Sequence, residues 1–485
     1  MKKLLLILCP ILLIGSSGFA NKPRVNFSYN QFYSLADGPY IETYLQFDAS
    51  SLHFFATTDG SFRASVDVLM IMKNKDDIID FRKYELNIPL VDESAKNQFS
   101  FIDQQRFAAQ ADTLDLEITI FNSSYPDEAI RHTESIVVQF DKSAIQLSSI
   151  QLVEKFERTN QPGPLTKSGF NITPYVDNFY PSSINQITFY VEIYNAEKVL
   201  GRDEGYLVQS FIEVFETGRT VSALTRFKRE QAKPVSVLFN EFDISQLPSG
   251  NYNLVILLKD KNNEMIGSTR AFFQRSNPQM RLTESEFANI MIANSFVEDI
   301  TNFDSLTYYV KALGPISTQS QRELAFALVA KKNKAILQQY FLHFWLEHNP
   351  LQPREAWRQY HIELCKTDAA FKTPVKRGYE SDRGRVYLQY GPPNSMVPSY
   401  NEPSAIPYEI WHYYSINGQR NKRFVFATRD IVTNEFDLIH SEVVGEIQNP
   451  RWQSVLYNTV LWDVDPEVIE GGWGSRSWDY LKNPP

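Results

Sequence analysis

The sequence predicts a mainly β, multidomain protein with two N-terminal β-sandwiches, a helical connector and a C-terminal α+β domain. Apolar residues alternate with polar ones through most of the first 276 residues, which is the pattern of half-buried strands. After Arg281 the apolar residues recur with the period of a helix instead. All seven Trp residues lie between Trp345 and Trp478, so the two ends of the chain are built differently.

The length of the chain indicates several domains, and its charge argues against a nucleic-acid-binding protein. The 485 residues, 43% of them hydrophobic, suffice for about three domains of ~150 residues each. Acidic residues outnumber Lys and Arg by 57 to 48. Because nucleic-acid binding needs clustered cationic side chains, we expect no nucleic-acid partner.

Residues 1–20 have the pattern of a secretory signal peptide. Lys2 and Lys3 precede an apolar run from Leu4 to Ile14, and small residues follow up to Ala20. The apolar run is too short to span a bilayer, which takes about 20 residues. We therefore expect cleavage after Ala20, a mature chain without a transmembrane segment, and a periplasmic or outer-membrane-associated location.

Cleavage after Ala20 leaves Cys365 as the remaining cysteine, so we expect no internal disulfide. Cys365 ends the apolar, helix-like stretch 362–365. The sequence predicts a buried, inert thiol there, because free cysteines are among the most buried residue types.

Residues 21–148 are predicted to form the first β-sandwich. Strand-like alternation is clearest at 44–47, 62–72 and 114–121. Turn residues separate these runs, and no long amphipathic helix interrupts them. Such short strands are typical of an antiparallel sandwich.

Residues 149–277 repeat this plan, and we assign them to a second sandwich. The run 187–194 corresponds to the strand near 66–72, and Leu247–Tyr252 leads into the apolar run 254–258. The loop that ends in Gly250-Asn251-Tyr252 resembles the last hairpin of immunoglobulin-like and fibronectin type III-like domains. This resemblance implies an immunoglobulin-like topology for both modules.

Residues 278–370 are predicted to be a helical connector. A possible capping box at Thr283–Glu286 precedes the first of four predicted helices. Leu337, Phe341, Phe344 and Trp345 share one helix face, and such a stripe is more often core than a cofactor site. The predicted helices span 284–298, 318–331, 333–347 and 353–365.

A dense motif begins the last domain, which we place at 371–447. The motif reads Gly-Tyr-Glu-Ser-Asp-Arg-Gly-Arg over 378–385, then a strand-like run over 386–390, then Gly-Pro-Pro-Asn. It resembles the signature of the GWxTD-domain family, Gly-Trp-x-Thr-Asp followed by Arg-Gly-Arg, a short strand and a Tyr-Gly-Pro-Pro turn. Tyr379 and Ser381 stand where the family has Trp and Thr, so an aromatic ring and a hydroxyl group are kept. The likeness covers roughly residues 283–445.

The resemblance implies an exported protein of Bacteroidota-type bacteria, in a family without a settled activity. The candidate binding residues are those of the motif, and two interpretations stay open. The guanidinium groups of the arginines could bind a carboxylate or phosphate group through two parallel hydrogen bonds. Alternatively, Ser381 and Asp382 cap a turn and Gly384 supplies a backbone conformation that other residues avoid. The candidates are Gly378, Tyr379, Ser381, Asp382, Arg383 and Arg385.

Known catalytic signatures are missing from the sequence. His343 and His348 are five residues apart, whereas a helical zinc pair needs a spacing of four. The sequence contains no Gly-x-Ser-x-Gly elbow and no P-loop, and the glycines at 471–474 lack the spacing of a dinucleotide fingerprint. We therefore predict no catalytic residues, no metal site and no cofactor.

Residues 448–485 form an aromatic tail rich in Pro, Gly and Asp. Such a segment either packs on the chain's own body or anchors another protein, because Trp and Tyr concentrate binding energy at interfaces. Both alternatives stay open. The interface candidates are Trp452, Trp462, Trp473, Trp478 and Tyr480.

The sequence as a whole favours a non-enzymatic envelope protein that is a subunit or scaffold of a larger protein assembly. Its partners would be envelope proteins bound through the aromatic tail, in transport, secretion or surface machinery. One alternative is an envelope hydrolase with a site around Ser381, Asp382 and Arg383. Another is a glycan-binding protein that stacks sugars on exposed Trp and Tyr rings.

Overall fold

The computed structural model describes residues 23–457, except for short gaps. Both the predicted signal peptide and the tail beyond Tyr457 lie outside the described residues. The chain divides into two compact units, 1–140 and 141–485. The gaps are 58–60, 76, 89–98, 111, 123–124, 162, 164, 281–282, 285–286, 403–404 and 450.

The first unit is built from antiparallel sheets. One sheet has the order β1-β2-β7, a second has the order β6-β5-β8-β9, and β3 and β4 pair with each other. Buried residues of the two larger sheets, such as Phe47 and Met70, meet in one apolar cluster. The strands are β1 (Val25–Ser34), β2 (Gly38–Asp48), β3 (Phe55–Ala56), β4 (Phe62–Arg63), β5 (Ser65–Asn74), β6 (Asp77–Asn87), β7 (Ser100–Ala108), β8 (Thr113–Asn122) and β9 (Tyr125–Val137).

The second unit begins with another pair of packed sheets. One has the order β10-β15-β11-β13-β12 with β18 paired to β15, and the other has the order β14-β20-β19-β16-β17. Phe189, Leu254 and Phe273 lie in the core between them. The immunoglobulin-like assignment of both modules stays a prediction. The elements are β10 (Gln146–Leu147), β11 (Gln151–Arg158), β12 (Thr166–Lys167), β13 (Phe170–Pro174), β14 (Phe179–Tyr180), β15 (Gln186–Tyr194), α1 (Ala196–Leu200), β16 (Gly205–Val214), β17 (Thr220–Gln231), β18 (Val235–Asp243), β19 (Gly250–Lys259) and β20 (Met265–Arg275).

Helices and a four-stranded sheet complete the second unit. The sheet has the order β21-β22-β23-β24, with Val386 and Phe371 of the helices packed on one face and Trp452 on the other. The mainly β fold class with a helical C-terminal part is thereby confirmed. These elements are α2 (Phe303–Ala312), α3 (Gln319–Ala330), α4 (Lys334–His348), α5 (Pro353–Phe371), α6 (Asp382–Tyr390), β21 (Ser395–Ser399), β22 (Tyr408–Ile416), β23 (Gln419–Ala427), β24 (Asp437–Ser441) and α7 (Trp452–Leu456).

Three of the four predicted helices are present as α3, α4 and α5. The helix predicted at 284–298 is wrong, because residues 287–299 form successive turns and Asn294 has a left-handed φ of 61°. Part of the predicted capping box lies outside the described residues. Helix α2 has no counterpart among the predicted helices. It begins after Asn302, whose side chain accepts a hydrogen bond from the Ser305 N–H at 2.8 Å.

The strand predicted at 386–390 is also wrong, because these residues form most of α6. Ser381 caps the start of this helix, and Gly391, with φ of 82°, ends it. Val386 packs toward the four-stranded sheet and Leu388 packs against Tyr379 on a different side. A helix buried on several sides has no clean amphipathic period, so the apolar alternation indicated a strand.

Candidate functional site

The motif residues lie where α5, a short 3₁₀ turn at Gly378–Glu380 and α6 meet. Ser381 is 3% exposed. Its hydroxyl donates to the Gly378 carbonyl at 2.7 Å and accepts the Gly384 N–H at 3.1 Å. Ser381 is therefore the N-cap of α6, a role that suits either the Ser found here or the Thr of the family signature.

Gly378 and Gly384 permit a very close backbone approach. A Cβ atom at Gly384 would lie 1.8 Å from the Gly378 carbonyl oxygen, and one at Gly378 would lie 2.3 Å from the Thr367 carbonyl oxygen. Neither position can hold a larger residue unless backbone moves. The two glycines thus lock α6 against α5.

Tyr379 stands at the position where the family signature has Trp. It is 8% exposed and packs with Leu364 and Leu388. Its ring lies 5.8 Å from that of Tyr308 in an edge-to-face arrangement, and burial raises the pKa of its phenol group. The aromatic residue at this signature position is part of the core.

Asp382 connects α6 to the sheet. Its carboxylate accepts the N–H of Leu438 on β24 at 2.7 Å. The charge also lies in the first turn of α6, where the helix dipole favours an anion.

Arg383 crosses the interior of the domain to reach Glu409 on β22. Their side chains are 5% and 9% exposed and their N–O distance is 2.8 Å. Arg383 also donates to the backbone and side-chain oxygens of Asn434 at 2.8 and 2.6 Å. Its guanidinium group lies 4.1 Å from the ring centre of Phe436 and 5.2 Å from that of Phe371. Burial lowers the pKa of Arg383, while the charge of Glu409 raises it.

Arg385 forms the second ion pair of the motif. It donates two hydrogen bonds, of 2.7 and 2.8 Å, to the carboxylate of Glu446. The Tyr390 hydroxyl donates to the same carboxylate at 2.8 Å. This paired geometry joins α6 to the loop that follows β24.

The structure therefore brings all six motif candidates together, but their hydroxyl and charged groups point into the domain. The hydroxyl and charged groups contact backbone or opposite charges of the same domain. This geometry corresponds to the capping interpretation of Ser381, extended by two ion pairs that the sequence analysis missed. Glu409 and Glu446 were missed because they lie 26 and 61 residues from their arginine partners.

Trp452 belongs to the protein's own core. It is 3% exposed, its ring stacks on His440 at 5.8 Å, and it packs with Tyr408 and Ile410. The self-packing alternative applies to this residue, so the interface prediction for Trp452 is wrong. The other interface candidates, Trp462, Trp473, Trp478 and Tyr480, lie outside the described residues.

The prediction of a buried thiol at Cys365 is wrong, because the side chain is exposed. Leu364 and Thr367 occupy the buried side of α5, which turns Cys365 outward. The Cys365 sulfur lies 3.8 Å from the His361 Nε2 atom. Their spacing of four residues on a predicted helix was the signal that could have indicated this pair.

The described residues contain no cluster of three or more His, Cys, Asp or Glu side chains suited to a metal ion. None of the helices in this part of the chain is long and apolar enough to cross a membrane. A cavity of ≈ 10 Å³ lies beside Tyr340, His343 and Phe344, which is room for about one water molecule.

The family model described as the GWxTD domain matches residues 282–455. This part of the chain is a GWxTD domain. The resemblance found in the motif is thereby confirmed, over nearly the range predicted for it. The matched range includes the helices α2–α5, as the likeness over 283–445 implied, so the connector predicted at 278–370 overlaps the GWxTD domain.

The chain also has weak structural likenesses to two larger proteins. One is a glycosyl hydrolase family 2 member from Bacteroides cellulosilyticus, at 9% identity and a TM-score of 0.19, over 48% of this chain and 28% of that one. The other is a calcium binding mutant of Bacteroides uniformis beta-glucuronidase 2, at 9% identity and a TM-score of 0.19, over 50% of this chain and 27% of that one. None of the curated proteins compared with the chain matches it.

Proposed function

We propose that this protein is a non-catalytic, exported protein of the cell envelope that acts as a subunit or scaffold of a larger protein assembly. The main support for this proposal is that the polar side chains of the GWxTD signature bind groups of their own domain. Ser381 and Arg383 are almost fully buried, and their polar groups hold α6 in place. The signature residues therefore stabilise the fold of the domain, and in this proposal the domain is a rigid scaffold.

The alternative of a hydrolase at Ser381 gains no support from this geometry. A serine nucleophile needs a base within hydrogen-bond reach and an exposed oxygen. The Ser381 hydroxyl instead donates to the Gly378 carbonyl, and Asp382 accepts a backbone N–H from β24. Arg383, the third member of that candidate site, pairs with Glu409.

The partner-binding segment in this proposal is the aromatic tail beyond Tyr457. Its base is fixed to the GWxTD domain, because Leu456 is fully buried against the sheet and the Tyr457 hydroxyl donates to Glu402 at 2.6 Å. Trp462, Trp473, Trp478 and Tyr480 follow from this fixed point. Trp and Tyr are the residue types that most often dominate binding energy at protein interfaces.

Truncation after Tyr457 tests the proposal, because it removes the tail but leaves α7 in place. We expect the full chain to be cross-linked to specific proteins in its native envelope. The truncated chain should keep its melting temperature and lose those cross-links. Trp452→Ala is the matched control, since it should lower the melting temperature while the tail remains.

Two results would count against the proposal. A full chain without stable partners in the native envelope would contradict the assembly role. Cross-links that survive truncation would place the partner surface outside the tail.

A further inference from the structure

The GWxTD domain packs directly on the sheet of the second sandwich that contains β16, β19 and β20. The turn between β22 and β23 approaches so closely that a Cβ atom at Gly418 would lie 2.8 Å from the Arg270 Nε atom. A Cβ atom at Gly445 would lie 3.1 Å from the Phe272 ring. The Asn417 side chain donates to the Phe215 carbonyl at 3.5 Å. We call this contact the joint.

A partly buried carboxyl group lies beside the joint. Glu216 lies in the turn between β16 and β17, directly after Phe215. Its Oε1 atom accepts a hydrogen bond from the Asn251 side chain at 3.0 Å. Within the described part of the chain, its Oε2 atom is buried and has no hydrogen-bond partner. Leaving a carboxylate oxygen in this state is costly, whereas a protonated carboxyl group carries no charge.

Four titratable or charged groups from different elements lie near Glu216. Tyr252 approaches from β19, Arg322 from α3, and Tyr390 and Glu446 from the motif side of the GWxTD domain. Arg322 donates its hydrogen bonds elsewhere, to the Ser317 carbonyl at 2.5 Å and the Gly314 carbonyl at 3.4 Å. Glu446 is held by Arg385 and Tyr390.

The attractive interactions with these neighbours do not offset the free-energy cost of burying the Glu216 charge. Burial is the largest cause that raises the pKa of Glu216, and the nearby charge of Glu446 raises it further. The Glu216 backbone N–H, the Asn251 hydrogen bond and the positive charge of Arg322 act in the opposite direction, and the net pKa is raised.

We propose that protonation of Glu216 favours the closed joint between the second sandwich and the GWxTD domain, and that ionisation of its partly buried carboxyl group loosens this joint. The stabilisation is complete at a pH below the ordinary pKa of Glu. It is lost as the pH rises through the raised pKa of the closed joint. One proton changes the opening equilibrium by at most about tenfold per pH unit.

Histidine titration has the opposite sign and can be separated from this effect. His348 on α4 is near the joint, beside Arg219 and Glu347, and burial lowers its pKa. Protonation of His348 would loosen the packing as the pH falls. Protonation of Glu216 would tighten the joint as the pH falls.

Hydrogen–deuterium exchange of the full chain between pH 5 and pH 8 tests the proposal, after correction for the intrinsic exchange rate at each pH. We expect exchange in peptides covering 415–419 and 443–447 to increase with pH in the wild type, with peptides covering 66–72 as the internal reference. In Glu216→Gln this increase should disappear and the joint should stay protected. Glu264→Gln, an exposed acid in the β19–β20 turn, should behave like the wild type.

Asn251→Leu provides a second test that keeps the carboxyl group. It removes a hydrogen bond that favours the ionised form, so the exchange profile should shift to higher pH. The proposal is overturned if Glu216→Gln retains the pH dependence of the wild type. An unshifted profile in Asn251→Leu overturns it as well, even if Glu216→Gln does not fold.

Discussion

At the scale of single residues, Arg383–Glu409 is the more buried of the two ion pairs that the signature arginines form. Replacing one partner of a buried ion pair leaves the other charge without compensation, which typically costs about 3–5 kcal/mol. We therefore expect Arg383→Leu to lower the free energy of unfolding of the GWxTD domain by about that amount. Denaturant unfolding followed by Trp fluorescence measures it, because every Trp lies at or beyond residue 345.

An exposed ion pair and a double substitution control this measurement. Arg358 pairs with Glu355 on the surface of α5, with side chains 60% and 41% exposed, so Arg358→Leu should change stability little. Adding Glu409→Gln to Arg383→Leu removes the stranded charge and should recover part of the loss. Equal stability of Arg383→Leu and Arg358→Leu would show that the buried pair has no structural role.

The same residues show how far a site can be predicted from sequence. The capping role of Ser381 was one of two alternatives, since it depends on local residue types. The partners of Arg383 were not predictable, because sheet pairing decides which strand lies opposite α6. The orientation of Cys365 depends on which side of α5 meets the domain core, and the apolar stretch 362–365 alone does not specify it.

At the scale of elements, α6 shows why local pattern and tertiary structure can disagree. Its apolar positions alternate over Val386–Tyr390, which indicated a strand. The helix instead is specified at its two ends, by Ser381 and by Gly391. Helices α3 and α4 were predicted to within one residue at each end from their apolar period. In the structure, Thr318 and Asn333 cap them with side-chain oxygens that accept N–H groups of the first turn.

Helix α7 depends on a histidine that must stay neutral. His440 accepts the Asn449 N–H at 3.1 Å and stacks on Trp452, and burial lowers its pKa to about 4. A pKa below the unfolded value of roughly 6.5 means that this stability is present at neutral pH and is lost as the pH falls from 6.5 towards 4. The loss is at most about 3 kcal/mol at pH 4.

We therefore expect α7 to loosen from the sheet in mild acid, with a change in Trp452 fluorescence between pH 7 and pH 4. His440→Phe keeps the ring contact and removes the titrating group, so its fluorescence should be nearly constant over this range. Trp452→Phe identifies the part of the signal that belongs to Trp452. An unchanged acid response in His440→Phe would rule out this role of His440.

At the scale of the whole molecule, the sequence predicted modules but not which modules fold together. The second sandwich and the GWxTD domain belong to one compact unit. Their contacts join residues far apart in the chain, such as Arg219 with Glu347 at 2.7 Å across 128 residues and Asn417 with Phe215 across 202. Hydrophobic periodicity describes one element at a time, so it contains no information about such pairings.

This shared packing predicts that the GWxTD domain depends on the second sandwich for full stability. In a fragment of residues 282–457, Glu347 loses its partner Arg219 and the surface opposite Phe272 is exposed to water. A loss of about 2–3 kcal/mol in a domain of this size lowers its melting temperature by roughly 5–10 °C.

Calorimetry of two fragments at one pH measures this dependence. We expect the fragment 141–457 to melt near the temperature of the full chain, and the fragment 282–457 to melt lower by that amount. Arg219→Ala in the fragment 141–457 should reproduce part of the decrease, because it removes the Arg219–Glu347 ion pair and leaves the sandwich in place. Equal melting temperatures for the two fragments would mean that the match at 282–455 marks a domain that folds without the sandwich.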